Sequence, residues 1–461
     1  MKRLQPNIEL RNPDMKILAN IDESSSFFRV LIGIGGILLI AFLLSSNRKK
    51  IDPRVILGGL ALQFMIAFGV LRVAWVETFF GWVAQLFSLA LQISIDAAGF
   101  VFGPLSNIDS MNQVFEGQGF VFAFMALPSI LFFSALSSLL YYFGVLQVVV
   151  RGMAWVMSRV MRLSGAESLA AASNVFVGQT EAPLIVKPYI PQMTKSEILA
   201  LMVGGMATIA GSVFAIYMGM LGGSDEASRL AFGKFLLCAS AMNAPAALLI
   251  AKILIPEEEK VSKDLSVSKQ SIGRNPIDAL ANGTSQGLQL ALNVGAMLIA
   301  FYAVIMLANH ILGWLGSFSP IGTLSINQHL HELSNARFDT LSLQAIFGFV
   351  FAPLAWLVGV GGSEVLSVGQ LIGTKTFATE FFAYMELSNM KAEGLSRKSV
   401  FLGTFALCGF ANFMSIGIQI GGIGSLAPER RSDLAALGLK SLLGGTLASL
   451  LSATIAGLFF Q

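Results

Sequence analysis

Two glutamates lie within long apolar stretches of the chain, where a charged side chain is costly. Glu181 ends the polar tetrapeptide GQTE, and Glu380 ends the tripeptide ATE. A carboxylate inside a membrane costs at least about 2.5 kcal/mol on insertion scales, so such residues mark functional sites. Further hydrogen-bonding groups in apolar segments belong to Gln179, Thr180, Asn412 and Ser415. Together with the two glutamates, these groups are suited to bind a neutral solute with hydroxyl groups or a heterocyclic ring. They include no inward arginine that would bind an anion.

A second set of oxygen atoms is suited to a small cation. The side chains of Asn174 and Thr208 and the carbonyl groups of Val177 and Ile209 supply hard oxygen ligands. Unwound carbonyls, and those at the C-terminal ends of half-helices, carry partial negative charge that favours a cation such as Na⁺. The sequence therefore predicts a sodium site next to the first glutamate.

The composition places these residues in a membrane protein. Of 461 residues, 55% are hydrophobic and 12% are charged, and the mean hydropathy is +0.72. Soluble domains have roughly 45–50% apolar and about 25% charged residues. The formal net charge of +3 comes without a contiguous basic face, which argues against nucleic acid as a partner.

Eight apolar segments are long enough to cross a bilayer as helices, which needs about 20 residues. The sequence thus predicts an all-α integral membrane protein with about eight transmembrane helices. The segments 74–103 and 144–162 mix aromatic and polar residues and are predicted to be interfacial helices. Basic short loops such as 48–54 face the cytoplasm by the positive-inside rule, which places both termini outside. The predicted spans lie near 28–46, 55–72, 119–143, 196–221, 229–255, 287–314, 399–424 and 435–460.

Two segments of similar pattern carry the glutamates. Residues 165–192 and 362–389 each open with glycine, a small residue and a glutamate, and each is split in its middle by the polar group that contains Glu181 or Glu380. Neither half of either segment is long enough to span a bilayer. The sequence predicts two re-entrant helical hairpins that enter the membrane, turn at the polar group and leave by the same face.

Each predicted hairpin is followed by a span that small and polar residues interrupt. The interruptions lie at 207–213 and 406–415. Non-helical backbone at membrane depth is tolerated only where it is buried in protein or lines a wet cavity. The order of interfacial helix, hairpin, broken span and span occurs twice, and the number of crossings between the repeats makes them inverted. Inverted repeats of this kind are typical of secondary transporters, which divide into scaffold and transport domains.

The predicted organisation follows from these elements. It comprises a polar tail (1–26), scaffold helices with an interfacial helix (27–143), a first transport repeat (144–255), a cytoplasmic loop with an interfacial segment (256–286), a scaffold span (287–314) and a second transport repeat (315–461).

Other charged residues are interpreted as structural. Glu167 and Glu364 stand near the hairpin starts and are expected to be helix caps or interface charges. Lys375 either pairs with a carboxylate or reaches the surface, and the sequence favours neither. The segment His329, Leu330, His331, Glu332 has the wrong order for an HExxH metal site and is predicted to be a solvated loop.

At this point the chain resembles the concentrative nucleoside transporter family, in the short bacterial form without extra N-terminal spans. The similarity runs from about residue 28 to 460 and rests on motifs in the same order. These are GQTEAP (178–183) with LIVKPY (184–189), GTKT (373–376) with Glu380, Phe381, Ala383 and Tyr384, ALCGFAN (406–412), and GGIGSLAP (421–428) with Arg430 and Arg431.

The resemblance implies a Na⁺-coupled nucleoside symporter of the bacterial inner membrane, usually a homotrimer, with a mobile domain that moves like an elevator in a scaffold. It implies no enzyme activity and no cofactor besides Na⁺ as the coupling ion. Uridine, cytidine and adenosine are the expected kinds of solute. By similarity, Gln179, Thr180, Glu181 and Val213 face the nucleobase, Glu380, Asn412 and Ser415 hold the ribose with Phe410 nearby, and Asn174, Val177, Thr208 and Ile209 bind sodium.

Proton coupling and the lining of the second hairpin tip stay open, and an enzyme activity is set aside. Some bacterial relatives use protons in place of sodium, although Asn174 and Thr208 retain oxygen ligands that favour sodium. Thr379 stands where many members of the family have asparagine, which leaves the lining of the second hairpin tip undetermined. An intramembrane enzyme acting on a lipid-linked nucleotide would need clustered aspartates for Mg²⁺, and the predicted spans contain no such cluster.

Overall fold

The computed structural model of the chain describes residues 13–115, 121–223, 225–259, 273–319, 325–334 and 336–460. Within these ranges the regular structure consists of α-helices and short 3₁₀ helices, and the described residues contain no β-strand. The predicted all-α fold is therefore confirmed. The predicted loop at 256–286 and the predicted tail lie partly outside the described residues.

The first part of the chain forms seven helices. Pro53 starts the second of them at a position where its missing N–H is not needed, and the Asp52 side chain accepts a hydrogen bond from the Arg54 amide. The helices are α1 (Pro13–Leu43), α2 (Pro53–Arg72), α3 (Ala74–Phe102), α4 (Ile108–Val114), α5 (Phe122–Met125), α6 (Leu127–Tyr142) and α7 (Val145–Met161), with 3₁₀ helices at Arg48–Lys50 and Gly103–Ser106.

The first hairpin and broken span follow. The hairpin turns between its helices at 175–181, which contains the polar group predicted to split it, and the span is interrupted at 208–210. The helices are α8 (Gly165–Asn174), α9 (Ala182–Ile185), α10 (Lys195–Ala207), α11 (Gly211–Gly222) and α12 (Glu226–Leu254), with a 3₁₀ helix at Ile190–Gln192.

The second half repeats this order after three further helices. The second hairpin turns at Ala378 and Thr379, and its broken span is interrupted at 408–412, as predicted. The helices are α13 (Pro276–Ser317), α14 (Ile326–Leu333), α15 (Leu343–Val358), α16 (Val365–Phe377), α17 (Glu380–Ala392), α18 (Arg397–Leu407), α19 (Phe413–Leu426) and α20 (Arg431–Gly457), with 3₁₀ helices at Gly362–Glu364 and Pro428–Arg430.

Six helical segments of the described chain are long and apolar enough to cross a membrane. Five coincide with predicted spans, and the predicted span at 28–46 is the apolar part of α1, Phe27–Leu43. The remaining segment, Ala74–Val114, includes α3, which was predicted to be interfacial. Its charges are few, and Glu77 is paired with Lys234 of α12 at 2.7 Å. The six are Pro53–Arg72, Ala74–Val114, Phe122–Tyr142, Glu226–Leu254, Pro276–Ser317 and Pro428–Gly457.

Two elements differ from the sequence predictions. The apolar helix α15 was not recognised as a separate element, because at 16 residues it is shorter than a full span. The predicted loop around His329 and His331 is the short helix α14. A capping box between Ser325 and Gln328 starts this helix, since each side chain accepts a hydrogen bond from the other residue's amide.

Of the two glutamates predicted to be caps or interface charges at the hairpin starts, Glu167 is a cap, whereas the Glu364 side chain makes no capping hydrogen bond in its own helix. Glu167 accepts a hydrogen bond from the Ser164 amide at 2.8 Å and forms a capping box with it. Glu364 accepts from the Ser396 amide at 2.8 Å and from the hydroxyls of Ser396 and Ser399, which ties the second hairpin to the start of α18. Burial raises the pKa of Glu364, but these hydrogen bonds outweigh burial and hold the pKa below its ordinary value.

Helices α12 and α20 lie in the core of the protein, whereas α13 lies at its periphery. Within the chain 89% of the apolar stretch of α12 is buried, against 6% for α13. Helix α13 packs on α6 through small residues: a Cβ added at Gly287 would lie 2.8 Å from the Cα atom of Leu131, and one at Gly283 would lie 2.8 Å from the Cα atom of Ala135. Small residues permit this close approach of two helices.

We expect Gly287→Ala to lower stability, because its new methyl group would meet the α6 backbone. Overpacking of this kind costs roughly 1–3 kcal/mol. Thermal unfolding of the purified protein in detergent measures the loss. Gly295→Ala on the same helix is the matched control, because its Cβ would lie at an ordinary contact distance of 3.4 Å from Leu127. Equal melting temperatures for the two variants would contradict the close packing of α6 on α13.

Candidate functional site

The tip of the first hairpin folds on itself and reaches the second broken span. The Glu181 carboxylate accepts a hydrogen bond from the Gly178 amide, which closes the turn. The buried Gln179 side chain donates from Nε2 to the Ser415 hydroxyl of α19 at 3.0 Å. Its Oε1 atom accepts from Gln419 Nε2 at 3.1 Å, and Gln419 also donates to the Met202 carbonyl of α10 at 2.9 Å. Both ends of the Gln179 amide are therefore fixed.

The carboxylate of Glu380, at the tip of the second hairpin, is paired at both oxygens. The Tyr217 hydroxyl of α11 donates to Oε1 at 2.8 Å, and Asn412 Nδ2 donates to Oε2 at 3.0 Å. Asn412 is also the N-cap of α19, since its Oδ1 accepts from the Ser415 amide at 2.8 Å. The two hairpin tips thus meet one another through the start of α19.

The two helix breaks lie against each other. Gly409 has φ of +130°, and a Cβ there would lie 2.4 Å from the Ala207 carbonyl oxygen. Only glycine accepts both the left-handed backbone and this approach. Asn243 of α12 then donates from Nδ2 to the Ala207 carbonyl at 2.7 Å and to the Cys408 carbonyl at 3.0 Å. One buried amide therefore binds the carbonyls that both breaks expose.

The predicted sodium ligands lie where α8 and α10 end. Asn174 is the last residue of α8, and neither polar atom of its buried side chain has a hydrogen-bond partner among the described residues. It is next to α10, because a Cβ at Gly204 would lie 3.1 Å from Asn174 Nδ2. Thr208 ends α10, and its hydroxyl donates to the Gly204 carbonyl at 2.9 Å, which leaves oxygen lone pairs for another partner.

Other contacts position the backbone of this ion set. The Phe176 carbonyl accepts from the Gly211 amide at 3.1 Å, so the hairpin tip is joined to the first turn of α11. The Val175 carbonyl accepts from the Ser240 hydroxyl of α12 at 3.3 Å. Val177 and Ile209, whose carbonyls are the other predicted ligands, are both buried on the same two segments. The buried Asn174 amide, which has no hydrogen-bond partner among the described residues, fits a hard cation together with the Thr208 hydroxyl and these two carbonyls.

The remaining predicted site residues lie around this network without joining it. Thr180 is exposed and faces α19, where a Cβ at Gly422 would lie 3.4 Å from its methyl group. Val213 is buried on α11, and Phe410 is half-buried in the second break. These three residues supply apolar or rotatable surface next to the paired polar groups.

Three residues of the site were missed in the sequence. Tyr217, Asn243 and Gln419 are buried and take part in the hydrogen bonds described above. Asn243 and Gln419 stand in apolar helices, and amide side chains in such helices are a signal that could have identified them. Tyr217 gave no such signal, because one aromatic residue in an apolar helix does not reveal where its hydroxyl points.

Both alternatives that the sequence left open for Lys375 are wrong. It neither forms an ion pair with a carboxylate among the described residues nor reaches the surface. Its ammonium donates to the Ala406 carbonyl at 2.9 Å and to the Ser449 hydroxyl at 3.0 Å, and the residue is 1% exposed. The C-terminal end of a helix offers such a carbonyl and favours a cation.

A buried ion-pair cluster lies at the mouth of the first hairpin. Lys252 of α12 lies 2.8 Å from Glu167 and 3.0 Å from Glu257, and it also donates to Ser196 at 3.0 Å. Burial raises the pKa of Glu257, but Lys252 and the Thr194 hydroxyl outweigh burial and hold the pKa below its ordinary value. This cluster holds the starts of α8 and α10 to the end of α12.

Helical hairpins whose tips meet two broken spans define a secondary carrier of the membrane. Family models agree with this class and cover most of the chain. The model of the Na⁺ dependent nucleoside transporter N-terminus matches residues 32–105, that of nucleoside recognition matches 123–224, and that of the transporter C-terminus matches 235–457.

Relatives and solved structures show the same similarity. An uncharacterized transporter of Haemophilus influenzae is 44% identical over 435 residues, which are 93% of this chain and 97% of that protein. Solute carrier family 28 member 3 of Mus musculus is 37% identical over 448 residues, 93% of this chain and 58% of that longer protein. The structure of CNTnw in an inward-facing, substrate-bound state superposes with a TM-score of 0.83 at 40% identity, covering 94% of this chain and 99% of that one.

The chain therefore belongs to the Na⁺-dependent nucleoside transporter family. It is a multi-pass membrane transporter and not an enzyme, and Na⁺ is the ion that fits the family. The family resemblance predicted from the sequence is confirmed.

We expect Gly409→Ala to destabilise the protein more than Gly394→Ala does. Both glycines have positive φ, +130° and +102°, so both variants bear the strain of roughly 1–2 kcal/mol for a left-handed residue. Only the methyl group at 409 would also meet a backbone carbonyl, because nothing lies within 4 Å of a Cβ at 394. Thermal unfolding in detergent compares the two. Equal losses of stability would mean that the two breaks do not touch.

Proposed function

We propose that this chain imports nucleosides together with Na⁺ across the bacterial inner membrane, with an elevator-like movement of the hairpins and broken spans relative to the other helices. The observation that carries the proposal is the Glu380 carboxylate at the tip of the second hairpin, which accepts hydrogen bonds at both oxygens from Tyr217 and Asn412 of the two broken spans. The hydroxyl pair of a ribose can replace such donors, because a carboxylate accepts hydrogen bonds from hydroxyl groups.

The nucleobase is assigned to the side of the network that the first hairpin supplies. Gln179 and Gln419 carry amide groups that donate and accept, which is the pattern needed by a heterocycle with ring nitrogens and carbonyls. Thr180, Glu181 and Val213 add the remaining surface on this side, and Phe410 is assigned to the ribose side with Asn412 and Ser415. Uridine, cytidine and adenosine are the proposed solutes.

Sodium is proposed to bind at Asn174, Thr208 and the carbonyls of Val177 and Ile209. The unpartnered Asn174 amide supports this assignment. The proposed ligands Asn174 and Val177 lie on the same hairpin tip as Gln179, so the order that Na⁺ imposes on the tip also favours the nucleoside site. One elementary charge that moves down the membrane potential gains about 2.3 kcal/mol per 100 mV, besides the sodium gradient. Proton coupling in the same fold is the alternative, and an Asn and Thr ligand set favours sodium over it.

Assembly as a homotrimer is also proposed, with both termini outside. The support is the surface of α13, whose large apolar side chains such as Ile299 (76% exposed) and Leu307 (62% exposed) find little cover within the chain. A neighbouring subunit or lipid has to cover them. The basic 3₁₀ helix Arg48–Lys50 between α1 and α2 supports a cytoplasmic loop there.

Replacing sodium tests the coupling. We expect reconstituted vesicles to accumulate radiolabelled uridine with Na⁺ outside and not with choline at the same pH. Asn174→Ala removes a proposed ligand, so we expect it to raise the Na⁺ concentration for half-maximal uptake severalfold. Asn309→Ala, in the contact between α13 and Gln344, is the control and is expected to leave sodium dependence unchanged. Uptake driven equally by choline medium, or by a pH gradient alone, would contradict sodium coupling.

Glu380→Gln tests recognition of the ribose. A hydrogen bond to a charged group is worth roughly 1.5–3 kcal/mol, so we expect uridine affinity to fall about 10- to 150-fold. Tyr217→Phe keeps the carboxylate and removes one of its donors, and a smaller loss is expected. Competition uptake with uridine and its deoxyribose analogues measures both. A Glu380→Gln variant that still distinguishes ribose from deoxyribose as the unmodified protein does would remove the proposed role.

A further inference from the structure

The second hairpin holds a cation of its own at membrane depth. Lys375 lies on α16 five residues before Glu380, and its side chain is among the largest that are fully buried. Among the described residues its hydrogen-bond partners are the Ala406 carbonyl and the Ser449 hydroxyl, so neutral oxygen atoms and no carboxylate contact the positive charge there. Neutral oxygen atoms of this kind are the ligands that proteins offer to hard metal cations.

The place of this ammonium in the fold is defined by the second break. Ala406 precedes Leu407, the last residue of α18, which is the first half of the second broken span. The final carbonyls of a helix lack partners within the helix and carry partial negative charge. Lys375 therefore compensates the C-terminal end of this half-helix from the neighbouring hairpin, while Ser449 of α20 adds a second oxygen.

The first repeat has a site at the corresponding place. Asn174 precedes Glu181 by seven residues, much as Lys375 precedes Glu380, and it lies next to the end of α10, the first half of the first broken span. In the first repeat the hairpin helix thus presents a neutral amide that has no hydrogen-bond partner among the described residues. In the second repeat it presents an ammonium with two partners. At the junction of hairpin and half-helix, the hairpin side chain is therefore neutral in the first repeat and positively charged in the second repeat.

We propose that Lys375 is a tethered cation that stands in for a sodium ion in the second repeat. The junction between the second hairpin and its broken span then holds a cation throughout the cycle, whereas the corresponding junction of the first hairpin holds one only when Na⁺ is bound. Lys375 is assigned as a positioning residue, since its ammonium donates to the half-helix at Ala406 and to α20 at Ser449. Because its charge returns with the protein in every cycle, only the ion of the first repeat contributes net charge. This inference rests on the sodium site proposed above.

The test compares Lys375→Asn with the unmodified protein in vesicles. The shorter, neutral amide recreates the chemistry of Asn174 and leaves room for an ion beside the Ala406 carbonyl. We expect the Hill coefficient for Na⁺, and the charge moved per uridine, to rise from about one toward about two, with a severalfold higher Na⁺ requirement. Lys440→Asn on α20 is the control and is expected to change neither quantity. A transporting Lys375→Asn variant with an unchanged Hill coefficient and charge ratio would overturn the proposal.

A second measurement does not depend on the variant folding. Equilibrium binding of radioactive sodium to the purified, unmodified protein is expected to give about one ion per chain, and two ions per chain would overturn the substitution of Lys375 for sodium. The outcomes separate the two proposals. If unmodified protein transports uridine without any need for Na⁺, the proposed coupling fails and this inference fails with it. If transport needs Na⁺ but two ions bind, only the role of Lys375 is wrong.

Discussion

Two helices of this transporter are interrupted inside the apolar part of the fold, and the carbonyl and amide groups released there must find partners within the protein. An unsatisfied group costs several kcal/mol in lipid. The chain meets this requirement by bringing the two breaks together. Gly409 lets one break approach Ala207 of the other, and the single amide of Asn243 donates to a carbonyl from each. The hairpins pack around this junction, so their positions follow from it.

The junction also explains how an ion and a solute can influence one another. A continuous series of hydrogen bonds runs from Gln179 in the first hairpin through Ser415 and Asn412 to Glu380 in the second. The proposed sodium ligand Asn174 lies at the base of the same first hairpin tip. A change in the order of that tip therefore alters the donors available to the solute, without a long-range pathway.

The sequence predicted the parts of the fold that cost free energy to place in a membrane. Glu181 and Glu380 stood out because carboxylates are rare in apolar segments, and the breaks stood out by their small and polar residues. Partners could not be predicted in the same way. Tyr217 and Lys375 were unassigned because their roles depend on which segment packs against them. Helix α15 was missed because it is shorter than a span.

A disulfide between the first hairpin tip and the second broken span tests the central claim that the two repeats meet at this contact. The Cβ atom of Thr180 lies 3.9 Å from a Cβ built at Gly422, within the range of about 3.5–4.5 Å found in disulfides. The native cysteines, Cys238 and Cys408, are buried. We expect Thr180→Cys with Gly422→Cys to cross-link under mild oxidation, and Thr180→Cys with Gly394→Cys to stay reduced. No cross-link in the first pair, in protein that still transports uridine, would contradict this contact between the repeats.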